Sequence, residues 1–198
     1  MKIESTNGNF WQGENIRLRS LQIEDAEKKL AEYNDTQARS WLEAGMELPQ
    51  ISLEAYREGL KDMCDFKDTS RMTAFTIETL EGEAAGWINM FGPNMRNGTF
   101  SIGISVYREY RQNGYAAEAM RVLMRYGFYQ LRSQKCDSVC LDGNEGSIRL
   151  HEKLGFIREG RKRRAVYLNG EFVDEILWGV LKEEFDANEE AYQKMKNG

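Results

Sequence analysis

The chain has 198 residues, two of them proline, and a hydrophobic fraction of 41%, enough to bury a core and too much for a disordered chain or long linkers. Its 32 acids against 27 bases leave a net charge of -5, which excludes a general positive coat for nucleic acid. One histidine and three cysteines without framework spacing exclude two-histidine metal sites and a disulfide scaffold and fit a reduced, cytoplasmic protein, while no run approaches the roughly 18–20 apolar residues of a membrane span.

Residues 1–14 read as a loose polar lead-in. Ile16 and Leu18 alternate with Arg17 and Arg19, as in a half-buried strand. Glu24 and Asp25 open a helical run through Tyr33, acids being favoured at the positive end of a helix dipole. Ser52 is placed to cap a second helix that carries Tyr56, Leu60 and Met63 on one face. Met72 to Thr79, Ala85 to Phe91 and Thr99 to Val106 are rich in β-formers. Glu81-Gly82-Glu83, Gly92-Pro93-Asn94 and Asn97-Gly98 separate them, which predicts an antiparallel meander.

The period then changes. From Gly114 to Arg132 the apolar residues Met120, Leu123, Met124, Gly127 and Leu131 share one side of a long amphipathic helix. Asp137 to Leu141 is a short strand, so Cys136 and Cys140 read as strand residues and not as a redox pair. Ser147 to Leu154 is a short helix closed by Gly155. A strand starts at Phe156, Asn169-Gly170 predicts a hairpin turn, and the apolar run Ile176 to Leu181 fits an inner strand. Residues 182–198 form a polar, helical tail. The whole chain, 1–198, is predicted to be one α/β domain whose sheet is antiparallel early and carries a β-α-β unit near its middle.

The segment Tyr110 to Ala116 joins a strand to the long helix. A helix start offers unpaired N–H groups and a positive dipole end, which suit a pyrophosphate. Gly114 and the small Ala116 permit close approach, and Arg108 and Arg111 add charge. No Lys-Ser/Thr follows the glycine and the G-x-G-x-x-G spacing is missing, so neither a Walker loop nor a dinucleotide fingerprint is present. By itself such a turn is equally well an ordinary glycine turn.

Arg111-x-x-Gly114-x-Ala116 resembles the Q/R-x-x-G-x-G/A motif of the GNAT N-acetyltransferases. Downstream, Asn144-x-x-Ser147-Ile148-Arg149-Leu150-x-Glu152-Lys153-Leu154-Gly155-Phe156 resembles the second half of that family's acetyl-CoA site. Glu159-Gly160-Arg161, Tyr167 to Glu171 with Asp174, and the opening Ile16-x-Leu18-Arg19-x-Leu21 are similar to the branch that acetylates ribosomal-protein N-termini and polyamines. The resemblance covers roughly residues 15–185. It implies a mixed, mostly antiparallel central sheet, with two splayed parallel strands and flanking helices.

Acetyl-CoA is the implied co-substrate, with no metal. The backbone of Ile104 and Val106 would pair with the pantetheine arm like an added strand. Arg111, Gln112, Asn113, Gly114, Tyr115 and Ala116 would cradle the pyrophosphate. Asn144 would hydrogen-bond the pantetheine, although it is equally a good helix cap, and Ser147 lies near the same place. An N–H near Ile104 is the implied oxyanion donor. Many relatives place a tyrosine at His151 to protonate the leaving thiolate; a histidine can donate a proton near neutral pH, which makes His151 the candidate catalytic acid. A Ser-His-Asp hydrolase would need a nucleophile elbow, and no G-x-S-x-G occurs.

Glu78, Glu83, Asp142 and Asp174 are candidate general bases, with a water chain as the alternative. The acceptor side is expected between the first two helices and the Asn169-Gly170 hairpin, near Trp41, Tyr56, Trp87 and Phe91. The expected activity is transfer of an acetyl group to a primary amine (a small amine, a polyamine or a protein N-terminus) by direct attack in a ternary complex. The alternatives are a non-catalytic acyl-CoA-binding or sensing module and a ribosome-associated factor. The basic cluster Arg158, Arg161, Lys162, Arg163 and Arg164 fits a CoA 3′-phosphate, an acidic peptide or ribosomal RNA, but fits a charged, solvated strand edge better. An exposed edge makes a homodimer conceivable.

Overall fold

The computed structural model describes residues 9–36, 39, 41, 49–64 and 72–197. Residues 1–8 of the expected lead-in and residue 198 of the tail lie outside the described residues. The strands are β1 (Ile16–Ser20), β2 (Met72–Thr79), β3 (Ala84–Asn94), β4 (Thr99–Val106), β5 (Lys135–Leu141), β6 (Ile157–Leu168) and β7 (Glu171–Leu181). The helices are α1 (Ala26–Tyr33), α2 (Leu53–Cys64), α3 (Tyr115–Arg125), α4 (Glu145–Lys153) and α5 (Lys182–Asn197). The strands form one sheet in the order β1-β2-β3-β4-β5-β7-β6. Among the described residues β4 and β5 are its one parallel pair. Parallel neighbours need a crossover, and α3 supplies it.

Alternate residues of β4 serve opposite faces, as the strand period requires. Phe100 and Ile102 are buried with Met120, Leu123 and Met124 of α3, and Ile104 and Val106 pack against that core. Ser105 points the other way, to Glu32 of α1. The ring of Phe128 sits 5.3 Å from Phe100 and 5.2 Å from Phe185. Each such buried ring contributes about 1.5–3 kcal/mol relative to an exposed one.

The structure departs from the sequence reading at three places. Residues 9–14 are not a loose lead-in. Trp11 packs 4.8 Å from Phe75 and 4.9 Å from Tyr126, and its carbonyl accepts the N–H of Leu18 at 2.8 Å. The long helix does not run unbroken to Arg132. It gives way to a π turn at Tyr126–Gln130, where a Cβ on Gly127 would stand 2.3 Å from the Phe100 ring. Strand β3 continues through Pro93 to Asn94 with an irregular register after Phe91, an interruption a proline without an N–H imposes. The Asn169-Gly170 turn joins β6 to β7, and β7 lies inside the sheet as its apolar run requires.

Candidate active site

The β4–β5 ladder has three rungs, Thr99↔Lys135, Phe100↔Cys136 and Ser101↔Asp137. Beyond Ser101 the two strands separate. Ile102 to Val106 keep β3 as partner on one side, and β5 turns to β7. A slot therefore opens toward the C-terminal ends of both strands, with Ile102 and Ser138 at its closed end. Val139, just past that point, is exposed.

At the open end, the turn before α3 is built from two left-handed residues, Gln112 at φ 67° and Gly114 at φ 81°. Successive backbone N–H groups in such a turn line an anion-binding concavity. A Cβ on Gly114 would meet nothing within 4 Å, so the space above the first turn of α3 is open to a ligand. Arg111 to Gly114 are exposed, whereas Tyr115 and Ala116 are half-buried. Nε of Arg111 donates to the carbonyl of Val106 at 3.0 Å, which ties the turn to the end of β4. Arg108, also expected to add charge here, is instead bound to Asp35 by a two-pronged pair at 2.7–3.0 Å. These features fit a pyrophosphate at Arg111 to Ala116 and a pantetheine arm along Ile104 and Val106.

The closed end holds His151, which is only 3% exposed. Its ring stacks on Trp178 with centroids 5.3 Å apart and planes 13° apart, and Phe156 meets it edge-on at 5.0 Å. Nδ1 lies 2.7 Å from the carbonyl of Ser147 and Nε2 lies 2.8 Å from Oγ of Ser138. Burial pushes the imidazole below its ordinary range, opposed in part by the Ser147 carbonyl. The candidate acid His151 is thus enclosed, and both of its ring nitrogens have internal partners, the Ser147 carbonyl and the Ser138 hydroxyl. Asn144 is the helix cap, its Oδ1 accepting the N–H of Ser147 at 3.1 Å.

On the opposite face, α1 meets β3 and β4. Glu32 accepts Nε1–H of Trp87 at 2.6 Å and the hydroxyl of Ser105. Nζ of Lys29 lies 4.9 Å above the Trp87 ring. Burial pushes Lys29 down to about 8, offset in part by Glu32 and Asp25. Phe91 covers Gly103 of β4, leaving no room for a Cβ there.

Residues 15–157 match the acetyltransferase (GNAT) domain family. The chain belongs to the GNAT acetyltransferase family. The SPbeta prophage-derived uncharacterized N-acetyltransferase YokL of Bacillus subtilis (strain 168) is 33% identical over 179 residues, covering 90% of this chain and 97% of that protein. The putative ribosomal N-acetyltransferase YdaF of the same organism is 28% identical over 178 residues, covering 88% and 95%. The crystal structure of spermidine N-acetyltransferase from Vibrio cholerae in complex with CoA and spermine superposes with a TM-score of 0.75 over 86% of this chain and 98% of that one. At 20% identity that likeness shows the shared fold.

In this GNAT acetyltransferase the four acids expected as general bases are all engaged elsewhere. Glu78 pairs with Arg17 and Arg19 of β1. Glu83 pairs with Lys28 at 2.8 Å. Asp142 and Asp174 both bind Arg161. Hydrogen bonds hold Glu83 and Asp174 below the ordinary carboxylate range: the Lys28 ammonium for the first, the Arg164 N–H and then Arg161 for the second. Burial opposes the same outcome at Glu78, but its two arginines outweigh it. Glu78, Glu83 and Asp174, held ionised in this way, are poor proton acceptors. Sequence reasoning missed Glu32. Its signal was the Lys29/Glu32 spacing on an amphipathic helix, a weak one without knowledge of Trp87 and Ser105.

The basic cluster lies on β6, the sheet edge. There Arg161 pairs with Asp174 and Asp142, and Lys162 with Glu175 at 3.0 Å. A cavity of about 190 Å³, bordered by Asn113 and Gly114 of the anion turn, opens between residues 13–15, α3 and α5. Its wall residue Glu118 accepts the N–H of Asn15 at 2.8 Å and those of Glu14 and Ile16, fastening the entry to β1 onto the helix that carries the anion turn.

Proposed function

We propose that this enzyme transfers the acetyl group of acetyl-CoA directly to the primary amine of a cationic acceptor, a polyamine or a protein N-terminus, within a ternary complex. The observation that carries the reading is the slot itself. The β4–β5 ladder stops at Ser101↔Asp137, and the free edge of β4 leads straight to the left-handed turn at Gln112 and Gly114. An extended pantetheine arm fits such an edge by strand addition, and a pyrophosphate fits the first turn of α3.

The chemistry asks for position more than for strong side-chain reagents. Holding thioester and amine in reach contributes several kcal/mol through lost translational freedom alone. The neutral amine attacks the thioester carbonyl within the slot, while Glu32 and Trp87 on the α1 face hold the rest of the cationic acceptor. A backbone N–H near Ile104 stabilises the oxyanion. Carbon–sulfur cleavage then releases CoA. A cationic acceptor is favoured because Glu32 and the Trp87 face already attract an ammonium, that of Lys29. The relative named for ribosomal acetylation points the same way.

The test is thiol release from acetyl-CoA against polyamines, aminoglycosides, amino acids and short N-terminal peptides. Turnover with a polyamine or a peptide is the expected result. Calorimetric binding of CoA without turnover of any amine would favour a sensing module. No binding would remove the assignment of Arg111 to Ala116.

A further inference from the structure

We propose that Ser138 and His151 form a proton relay at the closed end of the slot. Ser138 is the catalytic residue that touches the reacting atoms, and His151 is the positioning residue that orients it and exchanges its proton. The relay rests on the reading that acetyl-CoA occupies the slot.

Position is the first argument. Ser138 follows the last rung on β5, and its Oγ lies 3.4 Å from the carbonyl of Ile102, the residue that follows the same rung on β4. Its hydroxyl thus stands at the vertex between the separating strands. An arm that starts at the anion turn and runs back along Val106 to Ile102 spans four or five residues, roughly 13–17 Å at the rise of a strand. Its reactive end then reaches Ser138.

Hydrogen-bond direction is the second. The Ser147 carbonyl can only accept, so the nitrogen 2.7 Å from it, Nδ1, carries the ring proton. In the neutral ring Nε2 keeps its lone pair, aimed at Ser138 Oγ at 2.8 Å. The Ser138 hydroxyl therefore gives its one proton to Nε2 at 2.8 Å in preference to the Ile102 carbonyl at 3.4 Å, which leaves its oxygen lone pairs to accept. Burial favours this neutral form. The third argument is rigidity: Trp178, the cross-strand partner of Ser138, stacks under the ring, and Phe156 closes its edge. The other groups facing this cluster are the Cys140 thiol, which accepts Trp178 Nε1–H at 3.2 Å, and Arg158, the β6 register partner of Trp178.

The step balances. The amine nitrogen bonds to the thioester carbonyl carbon. Its excess proton passes to Ser138 Oγ as the serine proton passes to Nε2, giving an imidazolium that still donates Nδ1–H to Ser147. The Trp178 face stabilises that transient cation. The C–S bond then breaks, and the proton returns from Nε2 through Ser138 to the thiolate sulfur. The products are the amide and the CoA thiol, nothing is oxidised or reduced, and the dyad ends as it began. Because nitrogen and sulfur share one carbon, a single hydroxyl serves both.

His151 is the chain's one histidine, so the chain labelled with ¹⁵N-histidine yields a single imidazole spectrum. The expected result is the neutral Nδ1–H tautomer at pH 7, with an Nε2 resonance that moves on saturation with CoA. The Nε2–H tautomer, or an Nε2 resonance unmoved by bound CoA, overturns the relay and leaves the acetyl-CoA reading intact. Failure of CoA to bind at all overturns both. With an accepted amine, Ser138→Ala is expected to lower kcat about 100-fold or more, the scale of positioned proton transfer. KM for acetyl-CoA should stay within about twofold. His151→Phe keeps a ring on Trp178 and should lose a similar factor, and the double variant no more than either, as for residues acting as a unit. A folded Ser138→Ala enzyme with wild-type kcat overturns the proposal; if that variant does not fold, the spectrum of the unmodified protein decides.

Discussion

Nε1 of Trp87 donates to Oε2 of Glu32 at 2.6 Å and joins β3 to α1. Ser105 of β4 donates to the other carboxylate oxygen, so one acid pins the first helix to both strands beside the slot. Both donors are neutral, and a cation that approaches meets a carboxylate already fixed in place. Glu32→Gln keeps the shape and removes the charge. A hydrogen bond to a charged partner contributes about 1.5–3 kcal/mol, so KM for a cationic amine should rise tenfold or more while KM for acetyl-CoA stays put. Steady-state kinetics with each substrate varied in turn checks this. Equal loss in both constants would mean that Glu32 only braces the fold.

Gly114 separates affinity from stability. It adopts φ 81°, yet a Cβ there meets no atom within 4 Å. Gly114→Ala therefore costs backbone strain alone, about 1–2 kcal/mol, or a few degrees in Tm for a chain of this size. The added methyl projects into the space above the N–H groups of α3. CoA affinity is expected to fall at least 100-fold, about 2.7 kcal/mol, more than the strain accounts for. Calorimetry and thermal denaturation on one preparation give both numbers. An unchanged Kd would take the turn out of the cofactor site.

Much of the sheet was legible because its signals are local. Period-two alternation marked β1, a two-residue turn marked the β6–β7 hairpin, and Gly114 before an amphipathic run marked the start of α3. The separation of β4 from β5 carries no local signal and entered only through a family resemblance. His151 shows the limit most clearly. Its spacing from Ser147 placed both on one helix face, but its burial depends on Trp178, 27 positions later, and its proton on Ser138 of another strand. Glu32 was invisible for the same reason, since its partners lie 55 and 73 positions away. Trp11 was lost in a segment whose average is polar, although one indole docked on Phe75 outweighs several exposed polar residues.

Gly127 tests why the long helix breaks where it does. A Cβ there would stand 2.3 Å from the Phe100 ring, itself 1% exposed. Phe100 is held by Phe128 and cannot swing away cheaply. Gly127→Ala gains helix propensity of about 1 kcal/mol but overpacks the core by about 1–3 kcal/mol or more. Net destabilisation is expected, and Phe100→Leu should recover part of it by opening room. Chemical denaturation of the two single variants and the double variant measures the coupling. A Gly127→Ala protein more stable than wild type would show that the ring moves freely.

The same burial that orients His151 makes stability depend on pH. The folded imidazole titrates below the ordinary value of 6.5, so below that pH the unfolded chain binds the extra proton more readily than the folded one. Stability therefore rises with pH through this window. The contribution is complete above 6.5 and is lost as pH falls through the folded-state value. Thermal denaturation between pH 7.5 and 5 should show Tm falling with acidification. His151→Phe removes the titrating group while leaving an aromatic ring on Trp178, and its Tm should fall less steeply over the same range. If the two curves run parallel over that range, His151 is not the source; the paired carboxylates act only at lower pH. Asp25 is the foremost of these: its burial raises it, but hydrogen bonds from Arg19, the Gln22 N–H and Thr76 hold it below the ordinary carboxylate range. A loss governed by Asp25 would then set in at lower pH, below its unfolded value of 3.8, which separates the two origins by where each curve bends.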